Sequence, residues 1–315
     1  RLSGFLSSTL YVYFFYHAVL IYVRGALAEF FSLAILPFVF LTLANLANKT
    51  NWRNTIYFAI TSALLILTHP LIALPTFIFL GFFFLFYLFQ LKSNMKFIYL
   101  FILGIFMGLS LSAFFWLPSF FERKYTMTDQ ILTGELANYK LHYIYPQQFI
   151  YSPWGYGGSG VGLSDGMTFQ LGKIHIGLAI GALILSFIYF FASSRHSGER
   201  SDSRIVVSSN ESGQDVRRPQ AAVTVIYFYV IVLFLLFSLF MTTEYSSFIW
   251  DRVKHLWYLQ FPWRFLTFVG VFISIAGGYF IFFLSPSAIN VKSFDFSTIL
   301  IVFIIFLIDC TIPFR

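Results

Sequence analysis

From Phe77 to Phe89 the chain reads FIFLGFFFLFYLF, thirteen positions without a charge and apolar on every face of a helix. Such a helix has no side to turn toward water, so it belongs in the core of a large protein or in a bilayer. Composition decides between the two settings. Of the 315 residues 58% are hydrophobic and only 10% charged, whereas a soluble domain carries about a quarter charged residues. A bilayer span takes roughly 20 apolar residues, and about nine spans would use the hydrophobic share of this chain. An outer-membrane barrel would read as alternating segments of about ten residues, which these runs are not. Backbone groups in lipid must be satisfied within their own segment, so helices carry the spans. The expected fold is an all-α polytopic integral membrane protein.

Apolar runs between polar punctuation place helices near residues 5–23, 30–47, 55–69, 73–90, 97–117, 174–192, 223–241, 262–284 and 298–313. The 55–90 stretch is too long for one span and carries Thr68-His69-Pro70 near its middle, where proline favours a break. A helical hairpin turning at His69 is expected. Bases in short loops set orientation. With Arg1 inside, the loops 48–54, 91–96, 193–222 and 285–297 hold ten of the 20 basic residues. The segments 24–29, the turn at His69, 118–173 and 242–261 then lie outside. The net charge of +7 is read as cytoplasmic Lys and Arg rather than as a nucleic-acid surface. Residues 193–222, rich in Ser, Arg, Asp and Glu, cannot bury a core and are expected to be disordered. They divide a six-helix region, 1–192, from a three-helix region, 223–315. The outer loop 118–173 interleaves Trp154, Tyr139, Tyr143, Tyr145, Tyr151 and Tyr156 with glycines; rings with polar tips suit a membrane interface. The chain starts at Arg1 without an initiator Met and stops just after an apolar run, so it reads as a fragment at both ends.

Ionisable groups at membrane depth are costly and usually face a cavity or a partner. Arg24 and Glu29 lie five apart between the first two runs. They make either an interfacial salt bridge or a site in which Arg24 meets an anionic headgroup while Glu29 acts as acid, base or ligand. His69 is a proton carrier, a phosphate contact or a satisfied polar residue at a helix end. Glu122 closes the run WLPSFFERK at 116–124, read as an anchor near a cavity mouth. Arg264, in the first turn of the eighth run, either favours anions together with the positive helix end or snorkels to headgroups. Asp165, Gln170, Lys173 and His175 mark the return of the long loop, as binding residues or as a solvated rim. No phosphate loop, GxSxG elbow or zinc motif is present. The single Cys310 closes disulfide and thiolate-cluster readings.

The segments YVRGALAEF (22–30) with LPFVFL (36–41), LTHPLIAL (67–74), FFWLPSFFERKY (114–125), SPWGYGGSGVGLSDGMTFQLGKIHIG (152–177) and LQFPWRFL (259–266) resemble, in order and spacing, a family of bacterial and archaeal membrane proteins. Its label is 6-pyruvoyl-tetrahydropterin synthase-related, and it looks akin to the C-type glycosyltransferase superfamily. Pterin synthesis itself is rejected, because it needs a histidine-bound zinc and a catalytic cysteine. The resemblance implies a prokaryotic plasma-membrane enzyme that moves a sugar from a polyprenyl-phosphate donor to an acceptor at the outer face. It also implies that a key carboxylate lies in the first outer loop, a point this chain begins after. Glu29 or Glu122 is the expected catalytic base. Arg24, His69, Arg264, Trp154, Asp165, Gln170 and His175 are the expected substrate-binding residues, with no protein metal site and a divalent cation as the candidate cofactor. Two other classes fit the same charges: a flippase or transporter for a lipid-linked substrate, and a non-catalytic envelope scaffold. Neither paired repeats nor mid-span charge supports the transporter.

Overall fold

Where water is absent, backbone N–H and C=O groups are satisfied most economically within one segment. In the computed structural model, which describes residues 2–90, 94–127, 138–199 and 217–284, every regular element is helical. The helices are α1 (Leu2–Val12), α2 (Phe15–Ala18), α3 (Leu27–Asn48), α4 (Trp52–Thr68), α5 (Pro70–Gln90), α6 (Met95–Leu111), α7 (Ala113–Glu122), α8 (Lys173–Glu199), α9 (Arg217–Thr242), α10 (Ser247–Arg252) and α11 (Leu266–Leu284). Six segments are long and apolar enough to cross a membrane: Leu2–Val23, Leu27–Asn48, Pro70–Gln90, Lys173–Phe190, Thr224–Thr242 and Pro262–Leu284. A seventh is added if α6 and α7 form one bent span. The expected run at 298–313 and the loop 285–297 lie outside the described residues, as does Cys310.

The 55–90 stretch breaks at His69, with α4 ending at Thr68 and α5 opening on Pro70. The fifth run, expected as one helix over 97–117, instead bends by 70° between α6 and α7. The cause is local. Ser112 leaves helical geometry at ψ 2°, its hydroxyl donates back to the Gly108 carbonyl at 2.9 Å, and the Trp116 indole takes the Leu109 carbonyl at 2.9 Å. Side-chain donors therefore replace backbone donors at the break, and Pro118 follows inside α7. Part of the segment expected to be disordered, 193–222, is described. Helix backbone continues through 193–199 and 217–222, because extending a formed helix costs far less than nucleating one; residues 200–216 lie outside the described set.

The segment that opens on Pro262 and continues as α11 is the most enclosed of the spans, and α11 packs on α1, α8 and α9. Small residues let the backbones approach. A Cβ on Gly278 would stand 2.7 Å from the Ser3 carbonyl of α1, and one on Gly270 would stand 2.7 Å from the Phe14 ring. On another side, Phe79 of α5 meets Phe234 of α9 and Phe268 and Phe272 of α11 at centroid distances of 4.6–5.6 Å. α3, α4 and α6 form a second layer. Gly278→Ala should therefore lower stability by about 1–3 kcal/mol in detergent melts. Gly81→Ala, whose new methyl would meet nothing within 4 Å, should raise it by about 0.5–1 kcal/mol, the gain of Ala over Gly inside a helix. Equal melting of the two variants would argue against the close α1–α11 approach.

Candidate functional site

The first span does not end as a regular α-helix. Val19–Val23 forms a π-turn, and the Arg24 N–H closes it on the Val19 carbonyl at 3.0 Å. The chain then reverses within a few residues. Gly25 sits at φ +59°, a conformation that costs a residue with a Cβ, and the Ala26 N–H returns to the Leu20 carbonyl at 2.8 Å. This reversal brings Arg24 beside the first turn of α3, where Glu29 lies. Their side chains pair through Nη1 and Oε2 at 2.7 Å.

Two further groups converge on the same carboxylate. The Tyr16 hydroxyl donates to Glu29 Oε1 at 2.7 Å, and Arg264 brings Nε to 3.6 Å from Oε2. Glu29 is 1% exposed, Arg264 8% and Arg24 18%. Both oxygens of the carboxylate are therefore engaged. Its position in the first helical turn adds the favourable end of the helix dipole. The geometry gives Glu29 the work of a counter-ion that fixes two guanidiniums.

Arg264 is held from behind by a strained turn. Gln260, the one non-glycine residue at positive φ among the described residues, has φ 62° and ψ −46°, and the Phe261 N–H bonds the Leu259 carbonyl across it at 2.6 Å. That is a γ-turn of the rare positive-φ kind. The same Leu259 carbonyl accepts Arg264 Nη1 at 2.6 Å, so the strain aims an acceptor at the guanidinium. Arg264 Nε is left with no hydrogen bond.

Arg24 lies over the Trp263 ring at 4.4 Å, a cation–π contact, and Trp263 stacks on Phe261 at 4.8 Å. The indole N–H donates to Ser159 Oγ at 3.0 Å, and Ser159 lies 2.7 Å from His142 Nδ1. The glycine-rich loop is thereby tied to the arginine pair. Tyr16, Trp263, Ser159 and His142 escaped the sequence reading. Trp263 stood beside Arg264 in the PWRF stretch, while Tyr16 carried no signal in an aromatic run.

A cavity of about 400 Å³ opens among Arg24 to Glu29, His69 and Arg264. Its wall at Gly25, Ala26 and Ala28 has almost no side chain, which leaves the α3 N-terminus open to it. Two guanidiniums against one carboxylate leave one positive charge in excess. His69 ends α4, its N–H bonded to the Leu65 carbonyl at 3.0 Å, and Nδ1 is buried without a partner. Burial pushes the imidazole below its ordinary pKa; Glu29 opposes this, and Arg264 and Arg24 act in the same direction as burial.

The remaining expected residues lie outside this lining. Glu122 is exposed at the end of α7. Trp154 is exposed and meets Tyr156 edge-on at 6.1 Å. Asp165 accepts from the Gly160 N–H at 2.8 Å and from Gln148, which fastens the loop. Gln170 is half-buried, its N–H 3.4 Å from the Thr168 hydroxyl. His175 donates Nε2–H to the Leu10 carbonyl at 2.8 Å and so joins α8 to α1. Among the described residues, no group of three or more His, Cys, Asp or Glu side chains is placed to hold a metal ion.

Removing the Glu29 charge would leave two enclosed guanidiniums without a counter-ion. Glu29→Gln should cost about 3–5 kcal/mol in detergent unfolding, and Tyr16→Phe, which strips one hydrogen bond from the carboxylate, about 1–3 kcal/mol. Glu122→Gln, on an exposed helix end, should stay within about 0.5 kcal/mol. No family model, curated protein or solved structure matches the chain.

Proposed function

We propose that the protein is a membrane-embedded transferase of the C-type glycosyltransferase kind, which takes a sugar from a polyprenyl-phosphate donor and holds the donor phosphate in the Arg24–Arg264 cavity. The observation that carries this reading is the pair of enclosed guanidiniums fixed on one buried carboxylate beside an open helix N-terminus. Planar forks held in place suit phosphate, and helix N–H groups with the dipole add to them. As the bond between the sugar and the phosphate oxygen breaks, charge grows on the leaving phosphate. Donors already in position stabilise that charge without reorganising. Glu29 serves here through the arginines.

The same reading counts α4, the bent α6–α7 pair and residues 298–313 as further spans, for about nine passes in a prokaryotic plasma membrane. It puts the cavity and the loops 118–173 and 242–261 outside, 193–222 in the cytoplasm, and the lipid-facing grooves between Phe-rich helices around the polyprenyl chain. The resemblance in the YVRGALAEF, LTHPLIAL and LQFPWRFL segments supports it, since each delivers a residue to the cavity lining.

Undecaprenyl phosphate binding to the purified full chain tests the site. Each of Arg24→Gln and Arg264→Gln should weaken it by about ten- to a hundredfold, the worth of a charge-assisted hydrogen bond or two, and the loss should shrink in high salt. Unchanged affinity in both variants, measured by native mass spectrometry, would remove the phosphate from this cavity and with it the transferase reading.

A further inference from the structure

We propose that His69 is the catalytic base of this cavity, accepting the proton of the acceptor hydroxyl during glycosyl transfer. The inference rests on the transferase reading above and deepens it. Of the side chains that line the cavity, two can accept a proton, Glu29 and His69. Glu29 is committed: Oε1 accepts Tyr16, and Oε2 accepts Arg24 with Arg264 beside it. His69 is uncommitted. Its Nδ1 is buried without a partner, and neither ring nitrogen bonds to another group among the described residues.

Nothing in the fold asks for an imidazole at this position. The break between α4 and α5 is made by backbone: the His69 N–H meets the Leu65 carbonyl, and its own carbonyl accepts the Ile72 and Ala73 N–H groups at 3.0 and 3.1 Å. The charged groups that face the ring are Glu29 from α3, Arg24 from the reversal before it, and Arg264 from the turn before α11. With burial and two cations outweighing one carboxylate, the ring is neutral at pH 7 and keeps a lone pair for a proton. The positive charge that a phosphate needs is already supplied by the arginines.

The step balances without a further reactant. The acceptor oxygen forms a bond to the anomeric carbon as its O–H proton passes to the unprotonated ring nitrogen of His69. The bond between the anomeric carbon and the phosphate oxygen breaks, and its electron pair leaves with the polyprenyl phosphate, whose new charge faces Arg24 and Arg264. The imidazolium then returns its proton to solvent.

The test uses the full chain in proteoliposomes, with farnesyl-phosphate-linked glucose, galactose and mannose as donors, water as acceptor and released farnesyl phosphate as readout. Binding of farnesyl phosphate is measured in parallel. His69→Gln should melt with the wild type, bind farnesyl phosphate within about threefold, and lose turnover by about a hundredfold or more. In His69→Ala, added imidazole should restore part of the rate. In the wild type, kcat/KM should fall as pH drops, through a value below the ordinary histidine pKa of about 6.5, because the protonated ring cannot accept; His69→Gln should lack this limb. Retained turnover in His69→Gln would overturn the assignment and leave the transferase reading standing. Equal losses of binding and turnover would make His69 a phosphate contact and overturn it as well. A wild type that binds farnesyl phosphate yet releases none from the three donors would overturn the transferase reading and the base together.

Discussion

A carboxylate buried at the end of a helix bundle is a liability unless its charge is met, and Glu29 is met from three separate elements. Tyr16 comes from α2, Arg24 from the reversal after the π-turn, and Arg264 from the turn that leads into the central α11. In a low-dielectric interior, replacing both members of such a pair by apolar groups is often neutral, whereas removing one is expensive. The cluster therefore does little to explain why the bundle is stable. It does define how the ends of α1–α2, α3 and α11 must be placed relative to one another, because any other arrangement strands a charge.

That requirement accounts for the irregular backbone around it. A regular α-helix from Leu2 to Val23 would carry Arg24 to a different azimuth. The π-turn inserts an extra residue per turn and Gly25 allows the sharp reversal, so that a guanidinium reaches a carboxylate five residues on. At the other side, Gln260 occupies a strained φ to turn one carbonyl toward Arg264. Strain of this kind costs of order 1–3 kcal/mol and persists where the surroundings over-determine it. Here the surroundings are stacked rings, Phe261 on Trp263 and Trp263 under Arg24.

Much of this was legible in the residues, and the limits of legibility follow from range. Hydropathy is a local property, so the apolar runs and the break at His69-Pro70 could be read directly, and the pairing of Arg24 with Glu29 stood as one of two readings of those residues. Arg264 could be marked as an ion at a span's start, but nothing near it names Glu29, which lies toward the other end of the chain. Tyr16 is one tyrosine in an apolar aromatic run, and only the fold distinguishes it from Tyr11 or Tyr13. The bend at Ser112 was hidden because the run on both sides is equally apolar; a single hydroxyl and an indole N–H redirect the helix there. Asp165 and His175 read as binding residues or as a solvated rim, because their chemistry permits either. Their partners, Gly160 and Gln148 for one and the Leu10 carbonyl for the other, spend that chemistry on holding the loop and joining two helices.

The division of labour in the cavity then follows from what each group has left to offer. Glu29 has both oxygens engaged and exports its charge as order in two arginines. The arginines, neutralised only in part, keep a positive excess that favours an anion. The Trp263 indole, with one face under Arg24 and its N–H on Ser159, joins the long glycine-rich loop to that guanidinium.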